Sequence, residues 1–109
     1  MIDLTPAELA LVRRILAAHL PHREVRAFGS RVSGRATKHS DLDLLVMGSG
    51  RLPMHQRGEL RAAFADSVLP MCVDVVDWWT LDPEMQATIA GTSEVIQAGE
   101  RPAVRESGD

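Results

Sequence analysis

The sequence of 109 residues is poor in several residue types, and each shortage argues against a class of protein. It has one cysteine, Cys72, so no internal disulfide can form, and this favours a reducing compartment. Its four histidines are not spaced like the ligands of a zinc site. Basic residues are not in excess, because the formal net charge is −3. Nucleic acid is therefore not expected as a direct partner, since no general positive field would hold its phosphates.

Long apolar runs are also missing. No run approaches the roughly 20 residues that a membrane helix needs, and Met1-Ile2-Asp3 lacks the basic-then-apolar order of a secretory signal. We therefore expect a cytoplasmic protein with no membrane partner. The hydrophobic fraction of 45% and the charged fraction of 25% are ordinary for a folded protein. The length predicts one domain, over residues 1–98. From Gly99 onward the sequence is polar with a proline, which predicts a tail over 99–109.

The order of predicted elements is helix, strand, strand, helix, strand, helix, strand. The first helix has the clearest start, because Thr5 and Glu8 form a capping box around Pro6. The strands are predicted at 24–28, 41–47, 71–77 and 94–97, and further helices follow Pro53 and Asp82. One or two helical turns with Ser30 as N-cap are predicted after the first strand. The class is therefore α/β or α+β.

Two expectations concern the core. The helix after Pro53 is predicted to turn four residues inward at helical spacing: Leu60, Ala63, Phe64 and Val68. Cys72 lies in an apolar run without a histidine partner or local positive charge, so it is predicted to be a core residue and not a reactive thiol.

Two aspartates one residue apart, Asp41 and Asp43, open the second strand. Side chains alternate along a strand, so these two share a face about 6–7 Å apart. At an effective dielectric of about 20, their charges repel by roughly 2.5 kcal/mol. A divalent cation would compensate this repulsion; raised pKa values or exposure to solvent are the alternatives.

A third carboxylate, Asp74, lies in the next predicted strand. If the two strands are neighbours, three carboxylates converge on one face, and hard oxygen ligands of this kind suit Mg²⁺. Three carboxylates around two Mg²⁺ ions make a two-metal site. The Gly29-Ser30 turn supplies a complementary phosphate cradle, because a glycine turn lets backbone N–H groups approach a phosphate. Together these features predict a nucleoside triphosphate site.

Each feature also has a structural interpretation. An Asp-x-Asp pair is common on turns and exposed edges, and Asp74 is also consistent with a solvated carboxylate on a half-exposed strand. Asp77 is consistent with a helix-start residue before Trp78, and Arg31 with an ion-pair partner of nearby acids. On an extended backbone Trp78 and Trp79 face opposite ways, so one is predicted to pack and the other to mark a protein contact.

The combination is more specific than its parts. Phe28-Gly29-Ser30-Arg31, Ser40-Asp41-Leu42-Asp43-Leu44 and Val73-Asp74-Val75 closely resemble the minimal nucleotidyltransferases of the polymerase-beta superfamily. The signature of that family is Gly-Ser, ten residues, then Asp-x-Asp, with a third aspartate on a later strand. The spacing here matches without a gap, and the resemblance covers about residues 8 to 97. It implies a polymerase-beta-like fold, with a small mixed sheet flanked by helices.

The resemblance also implies roles for single residues. Gly29 and Ser30, with Arg31 beside them, would hold the triphosphate. Asp41 and Asp43 would bind both Mg²⁺ ions, and Asp74 would bind the catalytic one and help to deprotonate the attacking hydroxyl. The implied reaction is attack of a hydroxyl on the α-phosphorus of a nucleoside triphosphate, with release of pyrophosphate. Most of the catalysis would be positioning and charge neutralisation.

After the last predicted strand the sequence has only about ten polar residues, so we expect another polypeptide to bind the acceptor, in a hetero-oligomer. Minimal nucleotidyltransferases commonly pair with a small all-helical protein of the HEPN type. In one branch the transferase is an antitoxin that moves AMP from ATP onto a tyrosine of the HEPN toxin. This chain has no tyrosine, which excludes tyrosine self-modification. The alternatives are a nucleotide-binding subunit of a two-component transferase acting on a small molecule, and a non-catalytic antitoxin that masks its partner.

Overall fold

The computed structural model describes residues 2–99, and the predicted tail from 100 onward lies outside the described residues. The helices are α1 (Pro6–His19), α2 (Ser30–Ser33), α3 (Met54–Ala65) and α4 (Pro83–Ala90). The strands are β1 (Val25–Phe28), β2 (Leu42–Val46), β3 (Val73–Asp77) and β4 (Glu94–Gln97), and a 3₁₀ turn covers Trp78–Thr80. The predicted class and order of the main elements are confirmed. No helix within residues 2–99 has both the length and the apolar character needed to cross a bilayer.

The four strands form one mixed sheet in the order β3-β2-β1-β4. β1 is antiparallel to both β2 and β4, whereas β2 and β3 are parallel. β2 is therefore central, and it carries buried apolar residues on both faces, Leu44 on one and Leu45 on the other. β3 and β4 are the edges of the sheet, and β3 lies beside the strand that carries the Asp-x-Asp pair.

One face of the sheet packs against α1 and α3 and forms the core. β2 contributes alternate residues to this core, Leu42, Leu44 and Val46. The helices contribute Leu16 and Phe64, among others. The capping box at the start of α1 is present, with Glu8 N donating to Thr5 Oγ1 at 3.1 Å and Thr5 N donating to Glu8 Oε1 at 2.9 Å. On the other face of β2, Leu45 is also fully buried, whereas Asp43 at the start of the strand is only half-buried, so the accessible part of this face is its N-terminal end.

Two predicted core residues are exposed. Val68 is 90% exposed because α3 ends at Ala65, with Asp66 as its C-cap, so the helical face does not extend to position 68. Cys72 is exposed because it lies on the same side of the chain as Asp74, opposite to Val73 and Val75, which face the core. The first prediction assumed that α3 continues to Val68, and the second took an apolar run as a sign of burial, whereas side chains alternate between the two faces of a strand.

The tryptophan pair also lies on a different backbone from the extended one that the prediction assumed. Trp78 and Trp79 are in the 3₁₀ turn, and Asp77 is its N-cap, accepting a hydrogen bond from Trp79 N at 3.1 Å. The other carboxylate oxygen of Asp77 accepts from Leu52 N at 2.9 Å, and the residue is only 3% exposed. The interpretation of Asp77 as a helix-start residue is therefore confirmed, and the residue also holds the loop before α3.

Candidate active site

Asp43 and Asp74 are direct partners in the parallel register between β2 and β3. Asp41 lies just before β2, two residues ahead of Asp43, and alternation along the chain gives these two the same side. That side is opposite to the one on which Leu42 and Leu44 enter the core. The two strands are thus neighbours, which was the condition for a third carboxylate to join the Asp-x-Asp pair.

The three carboxylates differ in their surroundings. Asp41 and Asp74 are exposed, whereas Asp43 is half-buried between the neighbouring strands. Burial raises the pKa of the Asp43 carboxyl above its usual value, and the negative charges of Asp74 and then Asp41 raise it further. The fold therefore disfavours the negative charge of Asp43, and a bound cation would relieve the repulsion.

Gly29 brings the backbone into contact with Asp43. It follows β1 at φ 81° and ψ −156°, a conformation that L side chains rarely adopt. A Cβ at this position would overlap Asp43 Oδ2 and lie 3.2 Å from Asp43 Cγ. The sequence therefore needs glycine here for two reasons: its positive φ and its close approach to a carboxylate of the site.

Ser30 is the first residue of α2 and not its N-cap, so that prediction is wrong. The N-cap is Gly29, whose carbonyl accepts from Val32 N and Ser33 N at 3.1 and 3.0 Å. Within residues 2–99 the Ser30 hydroxyl has no hydrogen-bond partner, so it is available to a ligand. α2 is a single turn and contributes little dipole, so a phosphate cradle here depends on the glycine turn and the hydroxyl.

Arg31 is buried, and its guanidinium contacts backbone carbonyls. It donates to Asp3 O at 2.8 Å and Ser40 O at 3.0 Å, with a longer contact to Thr37 O at 3.5 Å. These bonds fix the loop that leads from α2 to Asp41. They give Arg31 a structural role, and they do not support its assignment to the triphosphate.

Hard carboxylate oxygens beside a phosphate cradle fit Mg²⁺ in kind. The three carboxylates do not converge on a common point in this structure. Among the described residues, no group of three or more His, Cys, Asp or Glu side chains is placed to hold a metal ion. Asp74 Oδ1 instead lies 3.6 Å from Arg61 Nη2 of α3. The three carboxylates therefore suit Mg²⁺ by their chemistry, whereas Asp74 is paired with a cationic side chain of the protein itself.

Arg61 is not among the site residues predicted from the sequence. Its signal is faint: Arg57 and Arg61 lie one turn apart on α3, and the apolar Leu60 and Phe64 face the core. Only the packing of α3 beside β3 shows that this pair of arginines lies along the edge of the sheet.

A separate cleft lies away from the three carboxylates. It has a volume of about 800 Å³ and is lined by residues that include Arg23, Met47 and Val95. Arg23 Nη1 donates to Met47 O and Gly50 O, both at 2.9 Å, so its guanidinium joins two loops. The cleft lies beyond the C-terminal end of β2, whereas the carboxylates cluster at its N-terminal end. The volume of this cleft therefore does not make it the candidate active site.

Comparison with known proteins identifies the family of this chain. The family model described as "Polymerase beta, Nucleotidyltransferase" matches residues 12–101. A Haemophilus influenzae protein named "Probable protein adenylyltransferase MntA" is 41% identical over 100 residues, which cover 92% of this chain and 88% of that protein.

Solved structures agree on the fold. A toxin–antitoxin structure with AMP-PNP matches with a TM-score of 0.70 at 23% identity, covering 85% of this chain and 74% of that one. A protein described as a minimal nucleotidyltransferase matches with a TM-score of 0.61 at 30% identity, covering 80% and 87%. A complex of the tri-AMPylated Shewanella oneidensis HEPN toxin with its MNT antitoxin matches with a TM-score of 0.62 at 22% identity, covering 84% and 69%. The chain therefore belongs to the polymerase-beta nucleotidyltransferase family, and within it to the minimal nucleotidyltransferases related to MntA.

Proposed function

We propose that this protein transfers AMP from ATP to a tyrosine hydroxyl of an all-helical HEPN partner, and that it thereby acts as an antitoxin. The observation that carries the proposal is the register of Asp43 against Asp74, beside the Gly29-Ser30 turn. The relative named as a protein adenylyltransferase supports the choice of AMP and of a protein acceptor. The structures of HEPN toxins with MNT antitoxins support the kind of partner.

The roles follow from position. Asp41, Asp43 and Asp74 would hold Mg²⁺, with two ions as the expected number, and Mg²⁺ supplies charge neutralisation at the phosphates. The Gly29 backbone and the Ser30 hydroxyl bind the triphosphate, and Asp74 accepts the proton of the attacking hydroxyl. The hydroxyl oxygen then forms a bond to the α-phosphorus while the bond from that phosphorus to the bridging oxygen of the β-phosphate breaks. Positioning and preorganised charge supply most of the rate.

The acceptor comes from the partner. This chain has no tyrosine, and Asp41 and Asp74 are exposed, so a second protein can approach the carboxylates directly. We place the reaction in the cytoplasm, because Cys72 is an exposed, unpaired thiol that suits a reducing compartment.

The test is the intact mass of both proteins after the purified pair is incubated with ATP and Mg²⁺. The partner should gain one AMP or a multiple of it, and this chain should gain none. Asp41→Asn and Asp43→Asn should abolish the gain. Asp66→Asn, an exposed aspartate after α3, is the matched control and should leave it unchanged. A partner that gains no mass with the wild-type protein would contradict the proposal.

A second candidate function is neutralisation by contact alone. Trp79 favours it, because this residue is 45% exposed while its Nε1 donates to Gly48 O at 2.8 Å, which fixes an apolar side chain at the surface. In that case Asp41→Asn and Asp43→Asn would still neutralise the toxin, with no change in mass, and Trp79→Ala would weaken the complex. Consumption of ATP with neither protein modified would favour the two-component transferase of a small molecule.

A further inference from the structure

Arg61 has no part in the chemistry above, yet it is the charged neighbour of Asp74. The distance between Arg61 Nη2 and Asp74 Oδ1 is 3.6 Å, and the two side chains are 50% and 53% exposed. α3 packs on the core face, whereas Asp74 lies on the opposite face from Val73 and Val75. The Arg61 side chain therefore passes the outer edge of β3 to approach the carboxylate.

Packing fixes the position from which Arg61 makes this contact. Arg57, one helical turn earlier, donates from Nη2 to Val75 O at 3.0 Å, on the edge strand. Leu60 and Phe64 hold α3 in the core between and beyond the two arginines. Residues four apart lie on one side of a helix, so the hydrogen bond of Arg57 directs Arg61 along the same edge.

The contact bears on how the metal site assembles. Asp74 is in register with Asp43, but the carboxylates are not gathered around a common point within residues 2–99. A guanidinium keeps its charge at any ordinary pH, so Arg61 can leave Asp74 only by moving. A divalent cation that binds the Asp74 carboxylate therefore competes with Arg61 for its negative charge.

We propose that Arg61 is a positioning residue of the metal site: it holds Asp74 beside α3 until a divalent cation replaces it. Arg61 thereby sets the cation concentration at which the third carboxylate joins Asp41 and Asp43. The proposal rests on the proposed function only for the identity of the three ligands. An exposed ion pair contributes modestly, so its removal should change cation affinity by about two- to fivefold.

The test measures Mn²⁺ binding to the full chain by electron paramagnetic resonance of the free ion, without nucleotide or partner. Arg61→Gln and Arg61→Met should each lower the Kd about two- to fivefold, and Arg61→Lys should keep the wild-type value. Arg14→Gln, which removes an exposed arginine from α1, should also leave it unchanged. In an Asp74→Asn background Arg61→Gln should have no effect, because the ion pair is already absent.

The proposal is overturned if Arg61→Gln and Arg61→Met leave the Mn²⁺ Kd unchanged or raise it. It is also overturned if Arg61→Gln lowers the Kd equally in the Asp74→Asn background, since the effect would then be general charge. Because no transfer is measured, these outcomes are independent of the AMP test. A chain that binds Mn²⁺ as expected but modifies no partner would refute the proposed function and leave this inference standing.

Discussion

Asp74 and Asp77 lie three residues apart on β3, and their surroundings are opposite. Asp74 has a half-exposed side chain beside Asp43 and near Arg61. Asp77 is buried and accepts backbone hydrogen bonds from Leu52 and Trp79. An odd separation along a strand places side chains on opposite faces. One carboxylate is thus open to a ligand, and the other stabilises the fold.

The difference shows that strand register, and not residue type, determines which of the two aspartates is open to a ligand and which has a structural role. Asp74 is opposite Asp43, whereas Asp77 is opposite Val46 at the other end of β2. A shift of one residue in β3 would exchange the faces of the two aspartates. The following variants test this division of roles, from the largest expected effect to the smallest.

Asp74→Asn should lower the rate of AMP transfer to the partner by at least about 10²-fold, because it removes a charge that acts on the reacting groups. Its free energy of unfolding should stay within about 0.5 kcal/mol of the wild type, since the side chain is half-exposed. Intact-mass time courses and urea unfolding measure the two effects. Transfer within tenfold of the wild-type rate would show that Asp74 is not part of the site.

Asp77→Asn should show the reverse pattern. Its amide can accept through only one atom, so one of the two backbone N–H groups loses its partner, at a cost of about 2–3 kcal/mol of unfolding free energy. Asp82→Asn is the control, because asparagine is also a good N-cap for α4. Transfer per folded molecule should be unchanged in both variants. A normal Tm for Asp77→Asn would remove the contrast with Asp74.

Gly29→Ala and Gly34→Ala separate backbone strain from contact with the site. Both glycines have φ above 80°: Gly34 is in the left-handed helical region, where alanine should cost about 1–2 kcal/mol, and Gly29 has ψ −156°, where alanine should cost about 1–3 kcal/mol. Only the Gly29 Cβ meets Asp43, whereas nothing lies within 4 Å of a Cβ at Gly34. We therefore expect transfer to fall only in Gly29→Ala. An equal fall in transfer for both variants would attribute the effect to general destabilisation.

Asp43→Asn should give the smallest change in stability, and in the favourable direction. Burial and the charges of Asp74 and Asp41 raise the pKa of Asp43, which means that the folded state disfavours its charged form at neutral pH. Asparagine removes that charge, so the Tm measured without divalent cations should equal or exceed that of the wild type. A clear drop in Tm would show that the Asp43 carboxylate stabilises the fold, as Asp77 does.

Much of the candidate site could be predicted from the sequence because its residues lie close together along the chain. Gly29, Ser30, Asp41 and Asp43 lie within one stretch of chain, and their spacing alone indicates a turn followed by a strand with two acids. The capping box of Thr5 and Glu8 was equally local, and it is confirmed. In both cases the interacting residues are close in sequence, so no knowledge of long-range packing was needed.

The remaining features depend on long-range packing. Asp74 became a site candidate only if β3 lies next to β2, which the sequence does not specify. Arg61 contacts Asp74 because α3 packs beside the edge of β3, and Arg31 is buried because carbonyls from two separate segments surround its guanidinium. Cys72 was misplaced because only the packing of β3 shows that the side of the strand shared by Cys72 and Asp74 is the exposed one.

The central claim is that Asp41, Asp43 and Asp74 bind metal as one site. The most direct test is a crystal structure of the chain with Mn²⁺ and a non-hydrolysable ATP analogue. Diffraction data collected near the manganese absorption edge would locate the metal in an anomalous difference map. We expect anomalous density within about 2.1–2.3 Å of oxygens from all three carboxylates, with the triphosphate at Gly29 and Ser30 and Asp74 released from Arg61. Metal density that excludes Asp74 while it remains on Arg61, or a triphosphate bound elsewhere, would contradict the account.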